Sequence, residues 1–410
     1  MTERVLLAVV DFKRRGDWLA DDVAAECREL IVACGGEVVE TVFCRAKIPT
    51  PDFLIGHGKA EEIIEICKAQ NIDTAIFSHD LKGSQQRNLE EALSVKVIDR
   101  TQLILDIFAR RAKSQEGRMQ VELAQLQYLL PRLAGKGVEL SRLGGGIGTL
   151  GPGETKLEVD RRRIKQRVTN LKRELQKVSS ARKLTRKKRK ENQVPLISLV
   201  GYTNAGKSTL LNTLTQAKRT VKDGLFTTLD PLSRQYVLPN NQKVVFSDTV
   251  GFLHALPHGL VEAFHATLEE VVEAELLLHI VDVSNPKFRD FIESVSNVLE
   301  EIHAQEKTII TVFNKIDKTE DKKEFVGLID GFENCVCISA ETGENIDLLI
   351  AKIMELLVPS TVEVDVKIPI TRMDLVNLIH KEGEIHSIEY SEKSVHVSAT
   401  VPSRLASKLK

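Results

Sequence analysis

The chain has 410 residues, 42% hydrophobic and 28% charged, the proportions of an ordinary globular sequence, which exclude a fibrous or wholly disordered protein. At this length about two to four domains are expected. Its 57 basic and 58 acidic residues nearly cancel, so total charge alone points to no partner.

No apolar stretch approaches the roughly 18 residues that span a bilayer. The opening MTERVLLAVVDFKRR carries too short an apolar run for a signal peptide, so a cytoplasmic monomer without a membrane span is expected. Six cysteines (Cys27, Cys34, Cys44, Cys67, Cys335, Cys337) form no CxxC pair and have no histidine at metal-ligand spacing. They read as buried small hydrophobes rather than a zinc site or a disulfide framework.

Residues 1–108 alternate short apolar runs with helical patterns. RVLLAVV, EVVETVF, DTAIFS and VKVID read as strands; Trp18 to Cys34, Lys59 to Gln70 and Gln85 to Leu93 read as helices. This βα rhythm predicts an α/β domain of parallel strands covered by helices. Within it IGHGKAEE, Ile55 to Glu62, places two glycines and a lysine before a helix, as a turn and cap or as an anion site.

From Arg110 the period changes. Met119, Leu123, Leu126, Leu130 and Leu133 form one helical stripe, and Ile164, Val168, Leu171, Leu175 and Val178 repeat its spacing. The two predict an antiparallel helical hairpin over 109–193. Its tip loop, residues 134–155, holds eight of the chain's 24 glycines. So many glycines are entropically costly to order, and the loop is expected either to order against a partner or to act as a linker. The second helix is strongly basic. Between Lys156 and Lys190 sixteen Lys and Arg face only Glu158, Asp160 and Glu174, a local net charge of +13 that leaves −14 for the rest of the chain. Such segregation attracts a polyanion, most simply nucleic acid, or else it is a solvated helix. No aromatic residues are interleaved there for stacking on single-stranded bases.

Residues 194–360 carry the strongest signal. In VPLISLVGYTNAGKSTLLNTL an apolar strand enters Gly201-x-x-x-x-Gly206-Lys207-Ser208 and continues into a helix. Between the glycines stand Tyr202, Thr203, Asn204 and Ala205, and Thr209 follows the serine. Backbone N–H groups in such a loop face a phosphate chain, and the helix terminus adds positive potential. Lys207 is expected on the β- and γ-phosphates and Ser208 on Mg²⁺. KVVFSDTVG then ends a strand in Asp248-Thr249-Val250-Gly251, a carboxylate for the magnesium shell and an N–H for the γ-phosphate. KTIITVFNKID ends in Asn314-Lys315-Ile316-Asp317, where a carboxylate accepts from the guanine N1–H and N2–H₂ pair that adenine lacks. CVCISAETG brings Ser339 and Ala340 toward guanine O6. Lys207, Asp248 and Asn314 lie 41 and 66 residues apart, in the order a GTP site requires. Residues 361–410 read as a small α+β domain whose His380, His386 and His396 lack metal-ligand spacing.

The nucleotide motifs resemble those of translation-factor-related GTPases. The full order of βα domain, hairpin with GGGIGTLGPGETKLEVDRRR, GTPase core and short tail is similar to the HflX family over nearly the whole chain. That resemblance implies that FTTLDP is the first switch, including Phe226, with Thr228 the magnesium ligand and γ-phosphate sensor and Thr227 its rival. Lys207, Thr228 and Gly251 would then form the catalytic set. It also implies binding to the large ribosomal subunit and its RNA, and separation of stalled or idle ribosomes. The contact candidates are Gly144, Gly145, Gly146, Gly148, Gly151 and Gly153 in the loop, with Arg161, Arg162 and Arg163 on the basic helix. Ras-like enzymes orient water with a glutamine after DxxG; here Phe252 stands there, so slow hydrolysis alone is expected, helped by a partner or by K⁺ at Asn204. His254 is a weaker candidate. Rival functions are a GTP-dependent module that recruits a protein effector and a ribosome or RNA assembly factor.

Overall fold

The computed structural model describes residues 2–13, 18–133, 156–191, 194–215, 232–253, 265–319, 331–357, 361–391, 393–402, 405–406 and 409. The glycine-rich tip with Gly144, Gly145, Gly146, Gly148, Gly151 and Gly153, the first-switch residues Phe226, Thr227 and Thr228, and His254 lie outside them. The described residues fall into two compact units, one up to Val178 and one from Ser179 onward.

The first unit begins with β1 (Glu3–Asp11), α1 (Ala20–Ala33), β2 (Gly36–Arg45), α2 (His57–Ala69), β3 (Thr74–Phe77), α3 (Gly83–Leu93) and β4 (Lys96–Asp99). The strands form a parallel sheet in the order β2-β1-β3-β4. β1 is buried without interruption from Val5 to Val10, as expected of a strand covered on both faces. Leu6, Ala8, Ile63, Phe77 and Leu89 meet in its core. α2 starts after Gly56 without a side-chain cap hydrogen bond, and in its first turn Lys59 pairs with Glu62 at 2.8 Å.

α4 (Arg100–Arg111) follows β4 with no intervening turn. The carboxylate of Asp99 caps it by accepting from the Gln102 N–H at 2.8 Å, and Leu103, Ile104, Ile107 and Phe108 form its buried face. The sequence reading lacks this helix because no glycine or proline separates it from VKVID. α5 (Gln115–Arg132) starts at Ser114, whose Oγ accepts from Gly117 N–H at 2.8 Å. α6 (Lys156–Glu191) is the basic helix. Met119 and Leu123 of α5 pack with Leu171 of α6, flanked by Leu126, Val168, Leu175 and Val178. The seam therefore takes the first three residues of one predicted stripe and the last four of the other, and Arg167 adds an ion pair to Glu122 at 2.6 Å beside it.

The second unit holds β5 (Leu196–Gly201), α7 (Lys207–Thr215), β6 (Leu232–Val237), β7 (Lys243–Asp248), α8 (His265–Val272), β8 (Leu276–Asp282), α9 (Phe288–Glu301), β9 (Thr308–Asn314), β10 (Cys335–Cys337) and α10 (Ile346–Leu356). The sheet order is β10-β9-β8-β5-β7-β6, parallel except for the antiparallel edge pair β6-β7. β5 therefore lies at the switch point of the strand order, where an open α/β sheet leaves a crevice at its strand ends. The tail adds β11 (Thr361–Pro369), α11 (Met373–Glu382), β12 (Glu384–Tyr390) and β13 (Ser394–Pro402), an antiparallel sheet in the order β11-β13-β12. Alternate residues Val395, Val397, Ala399 and Val401 form its core with Val376 and Ile379 of α11.

Cys27, Cys44 and Cys67 are buried, whereas Cys34, Cys335 and Cys337 are only half-buried, a correction to the uniform reading. Burial pushes the Cys27 thiol up to about 12 and that of Cys337 to about 11. Among the described residues no helix is long and apolar enough to cross a membrane.

Candidate nucleotide-binding site

Strand β5 is buried throughout and delivers Gly201 to the crevice. A Cβ on Gly201 would lie 2.3 Å from the Ile280 carbonyl oxygen of the neighbouring strand, so only glycine lets the chain turn out there. Asn204 is exposed at φ 62°, a left-handed conformation that asparagine tolerates, so turn geometry alone accounts for an asparagine here. Lys207 opens α7 and is 7% exposed. Its ammonium donates to the carbonyls of Gly201 at 3.0 Å and Tyr202 at 2.7 Å, which aims it across the loop mouth. Burial lowers its pKa to about 8 against the opposing pull of Asp248.

The end of β7 closes on this loop. Ser208 Oγ donates to Asp248 Oδ2 at 2.6 Å. The Thr203 N–H donates to the Phe252 carbonyl at 2.9 Å, and the Phe252 N–H donates to the Gly201 carbonyl at 3.1 Å. Gly251 is packed so closely that a Cβ there would lie 2.8 Å from Thr203 Cγ2 and 3.1 Å from Lys207 Nζ. Phe252, at 3% exposure, points away from water, and the buried Tyr202 ring stacks on Phe291 at 4.1 Å. Thr249 Oγ1 donates to the Leu199 carbonyl at 2.6 Å, and Val250 is buried between these contacts in sequence. Thr209 is half-buried, its carbonyl accepting from Thr213 Oγ1 at 3.1 Å.

On the base side, buried Asn314 joins two loops. Its Nδ2 donates to the Ala205 carbonyl at 2.8 Å, and its Oδ1 accepts from the Ala340 N–H at 2.9 Å. That N–H, read from sequence as a partner for guanine O6, is thus directed at Asn314 in this structure. Ser339 is buried, with Oγ accepting from Thr342 N–H at 3.2 Å. Asp317 is exposed in a 3₁₀ turn at Ile316–Lys318, free to face a base edge. Lys315 stands at φ 68° and pairs with Asp282 at 2.6 Å.

Sequence reasoning missed several supports. Thr213 Oγ1 donates to the Ala340 carbonyl at 2.6 Å, tying α7 to the base loop. Asp282 lies opposite Asn314 in the β8-β9 register, and its place at a strand end of ELLLHIVDVS was the available signal. His279, buried in β8, is held neutral: burial first, then the Lys207 charge, pushes it down to about 4.

A phosphate loop, DxxG and NKxD at the ends of β5, β7 and β9, around the switch point of a mainly parallel sheet, define a P-loop GTPase. Family models match four stretches of the chain: "GTP-binding GTPase N-terminal" at 21–109, "GTP-binding GTPase Middle Region" at 111–189, "50S ribosome-binding GTPase" at 196–315 and "HflX C-terminal domain" at 325–410. The GTPase HflX of Caldanaerobacter subterraneus subsp. tengcongensis is 45% identical over 390 residues, 95% of this chain and 90% of its own. That of Escherichia coli K12 is 44% identical over 348 residues, 84% of this chain and 81% of its own. The chain belongs to the HflX family of GTPases and is a GTP hydrolase. A crystal structure of a GTP-binding protein from the archaeon Sulfolobus solfataricus in complex with GDP aligns at 26% identity and a TM-score of 0.45, over 87% of this chain and 98% of that one.

Proposed function

We propose that this GTPase binds the large ribosomal subunit and its RNA, and couples GTP binding and hydrolysis to splitting or rescue of stalled or idle ribosomes. The observation that carries the reading is the strongly basic helix α6, where Arg161, Arg162, Arg163, Lys165, Lys172 and Lys177 are all exposed. Exposed cations at this density bind a phosphate backbone by counterion release. The glycine-rich tip would meet the same RNA. Residues 1–108, 109–193, 194–360 and 361–410 are read as four modules, of which the second is the RNA-facing arm.

In this reading Lys207 holds the β- and γ-phosphates, the Gly251 N–H meets the third phosphoryl group, and Asp317 selects guanine. Ser208 and Asp248 are hard oxygen donors already 2.6 Å apart, a pair that fits Mg²⁺, with Thr228 as a further ligand. Bound there, Mg²⁺ would neutralise charge developing on the phosphate oxygens. Asn204 is the residue assigned to K⁺. Phe252 has no group to orient water, so the isolated chain turns over slowly and the ribosome supplies what is missing.

Sedimentation with purified large subunits tests this. Expected are co-pelleting with a non-hydrolysable GTP analogue but not with GDP, a faster GTPase rate, and affinity falling steeply with salt. Binding that ignores salt would favour a hydrophobic protein effector instead, and no binding at all would end the ribosome reading.

A further inference from the structure

The basic helix is not solvated along its whole length. Near its C-terminal end Arg186 Nη2 lies 2.9 Å from Glu269 Oε2 and 3.0 Å from Glu270 Oε1, both on α8. Arg189 Nη1 approaches Glu270 Oε2 at 3.7 Å. The four side chains are 10 to 20% exposed, whereas Lys187 between the two arginines is 75% exposed and pairs with Glu191 at 4.0 Å. Two arginines have therefore been withdrawn from the polyanion face and set against two carboxylates.

The position of α8 gives this cluster its meaning. The helix follows Gly251 in the chain, after residues 252–264, and is the first described helix beyond the segment that meets the third phosphoryl group. Just past its end the chain is pinned to β5: Leu196 N–H donates to Glu275 Oε2 at 2.6 Å, and Glu275 N–H to the Leu196 carbonyl at 2.9 Å. With that end fixed, any displacement starting at Gly251 must be taken up within 252–264 or passed into α8. A buried charge cluster resists gradual sliding. Breaking one partner strands a desolvated charge, while an aligned cluster adds little net stability. It thus behaves as a joint that is either seated or released.

We propose that Arg186 and Arg189 with Glu269 and Glu270 are the joint through which the nucleotide state reaches the basic helix. They are positioning residues, in contact with neither nucleotide nor RNA. This deepens the ribosome-binding reading, but its test needs no ribosome.

Hydrogen–deuterium exchange is compared between the GDP form and a non-hydrolysable GTP-analogue form of the full chain. In the wild type, exchange over 179–191 should differ between the two by about fivefold or more, the size of an ordinary coupling free energy. The Glu269→Gln, Glu270→Gln double variant should lose that difference while its affinity for the analogue stays within about twofold of the wild type. Exchanging all four charges, Arg186→Glu and Arg189→Glu with Glu269→Arg and Glu270→Arg, keeps every pair opposite in sign and should restore it. No nucleotide-dependent difference in the wild type, or one that persists in the double variant, overturns the proposal. If circular dichroism shows the double variant unfolded, the charge exchange decides: a folded protein without the difference overturns the joint. Loss of ribosome binding with the exchange pattern as expected would remove the ribosome reading and leave the joint standing.

Discussion

Asn314 occupies the space that a side chain at Gly206 would need: a Cβ built there falls 2.2 Å from Asn314 Nδ2. The same Asn314 amide group holds the Ala205 carbonyl, so the phosphate loop and the base loop meet edge to edge with no slack. Gly206 also stands at φ 97°, which side-chain-bearing residues rarely adopt. Gly206→Ala should therefore push Asn314 off both partners. With about 1–3 kcal/mol for each buried polar group left unpaired, GDP affinity should fall by about tenfold or more. Isothermal titration on protein shown to be folded by circular dichroism measures it; near wild-type affinity would mean that the two loops do not depend on this contact.

Lys207 yields a pH prediction. Burial lowers its pKa from 10.5 to about 8 in the free protein, and phosphate oxygens beside it would raise that value again. Nucleotide binding is then strongest below pH 8 and weakens as pH rises through 8, because the ammonium must regain a proton. Calorimetry between about pH 7 and 9, in buffers of different ionisation enthalpy, should show proton uptake that grows with pH. Lys207→Met should remove that uptake. The folding sign is opposite: a lysine with a lowered folded pKa destabilises the fold below pH 8, and the penalty disappears toward pH 10.5. Lys207→Met should thus stabilise the free protein near pH 7 by up to about 3 kcal/mol while abolishing GTP turnover.

The phosphate and base motifs were legible because each is a short local string at a strand end: Gly201 closes β5, Asp248 closes β7 and Asn314 closes β9. Other features depend on partners distant in sequence. β6 alternates half-buried and exposed residues and includes Arg234 and Gln235, so it resembles a polar loop until β7 pairs with it. Summing charge over Lys156 to Lys190 counts Arg167, Arg186 and Arg189 as solvated, whereas each faces a glutamate from another helix. The hairpin seam was visible as a stripe, but spacing could not show that it is centred on Leu171.

In the proposed reading base selection falls to Asp317, which is exposed. Asp317→Asn presents an amide donor where guanine needs an acceptor, and should shift preference from guanosine toward xanthosine nucleotides. Competition binding with GDP and xanthosine diphosphate reads the ratio. The exposed position implies little change in stability, about 0.5 kcal/mol or less, so a lost preference can be attributed to the base. An unchanged preference would take Asp317 out of the site.

In the first unit, Asp99 has no exposed surface and gathers four donors. Oδ1 accepts from Gln102 N–H and the Tyr128 hydroxyl, both at 2.8 Å; Oδ2 accepts from Leu81 N–H at 3.0 Å and Arg132 Nη2 at 2.9 Å. Arg132 also lies 3.4 Å over the Tyr128 ring and donates to the Leu81 carbonyl at 2.7 Å, so the end of α5 is clasped to the sheet just before the glycine-rich segment. Asp99→Ala would leave the Arg132 guanidinium without its carboxylate and three further donors unpaired, and should cost about 3–5 kcal/mol. Tyr128→Phe removes one hydrogen bond and should cost about 1 kcal/mol. Trp18 is the only tryptophan of the chain and lies in this unit, so urea titration followed by its fluorescence isolates the effect. Burial, outweighing the hydrogen bonds from Gln102 and Leu81, holds the Asp99 carboxyl above its ordinary 3.8. An acid raised in the folded state loses stability as pH climbs past its unfolded value, so Asp99→Asn should flatten the stability profile above about pH 4. Equal urea midpoints for Asp99→Ala and the wild type would show that the clasp does not hold α5.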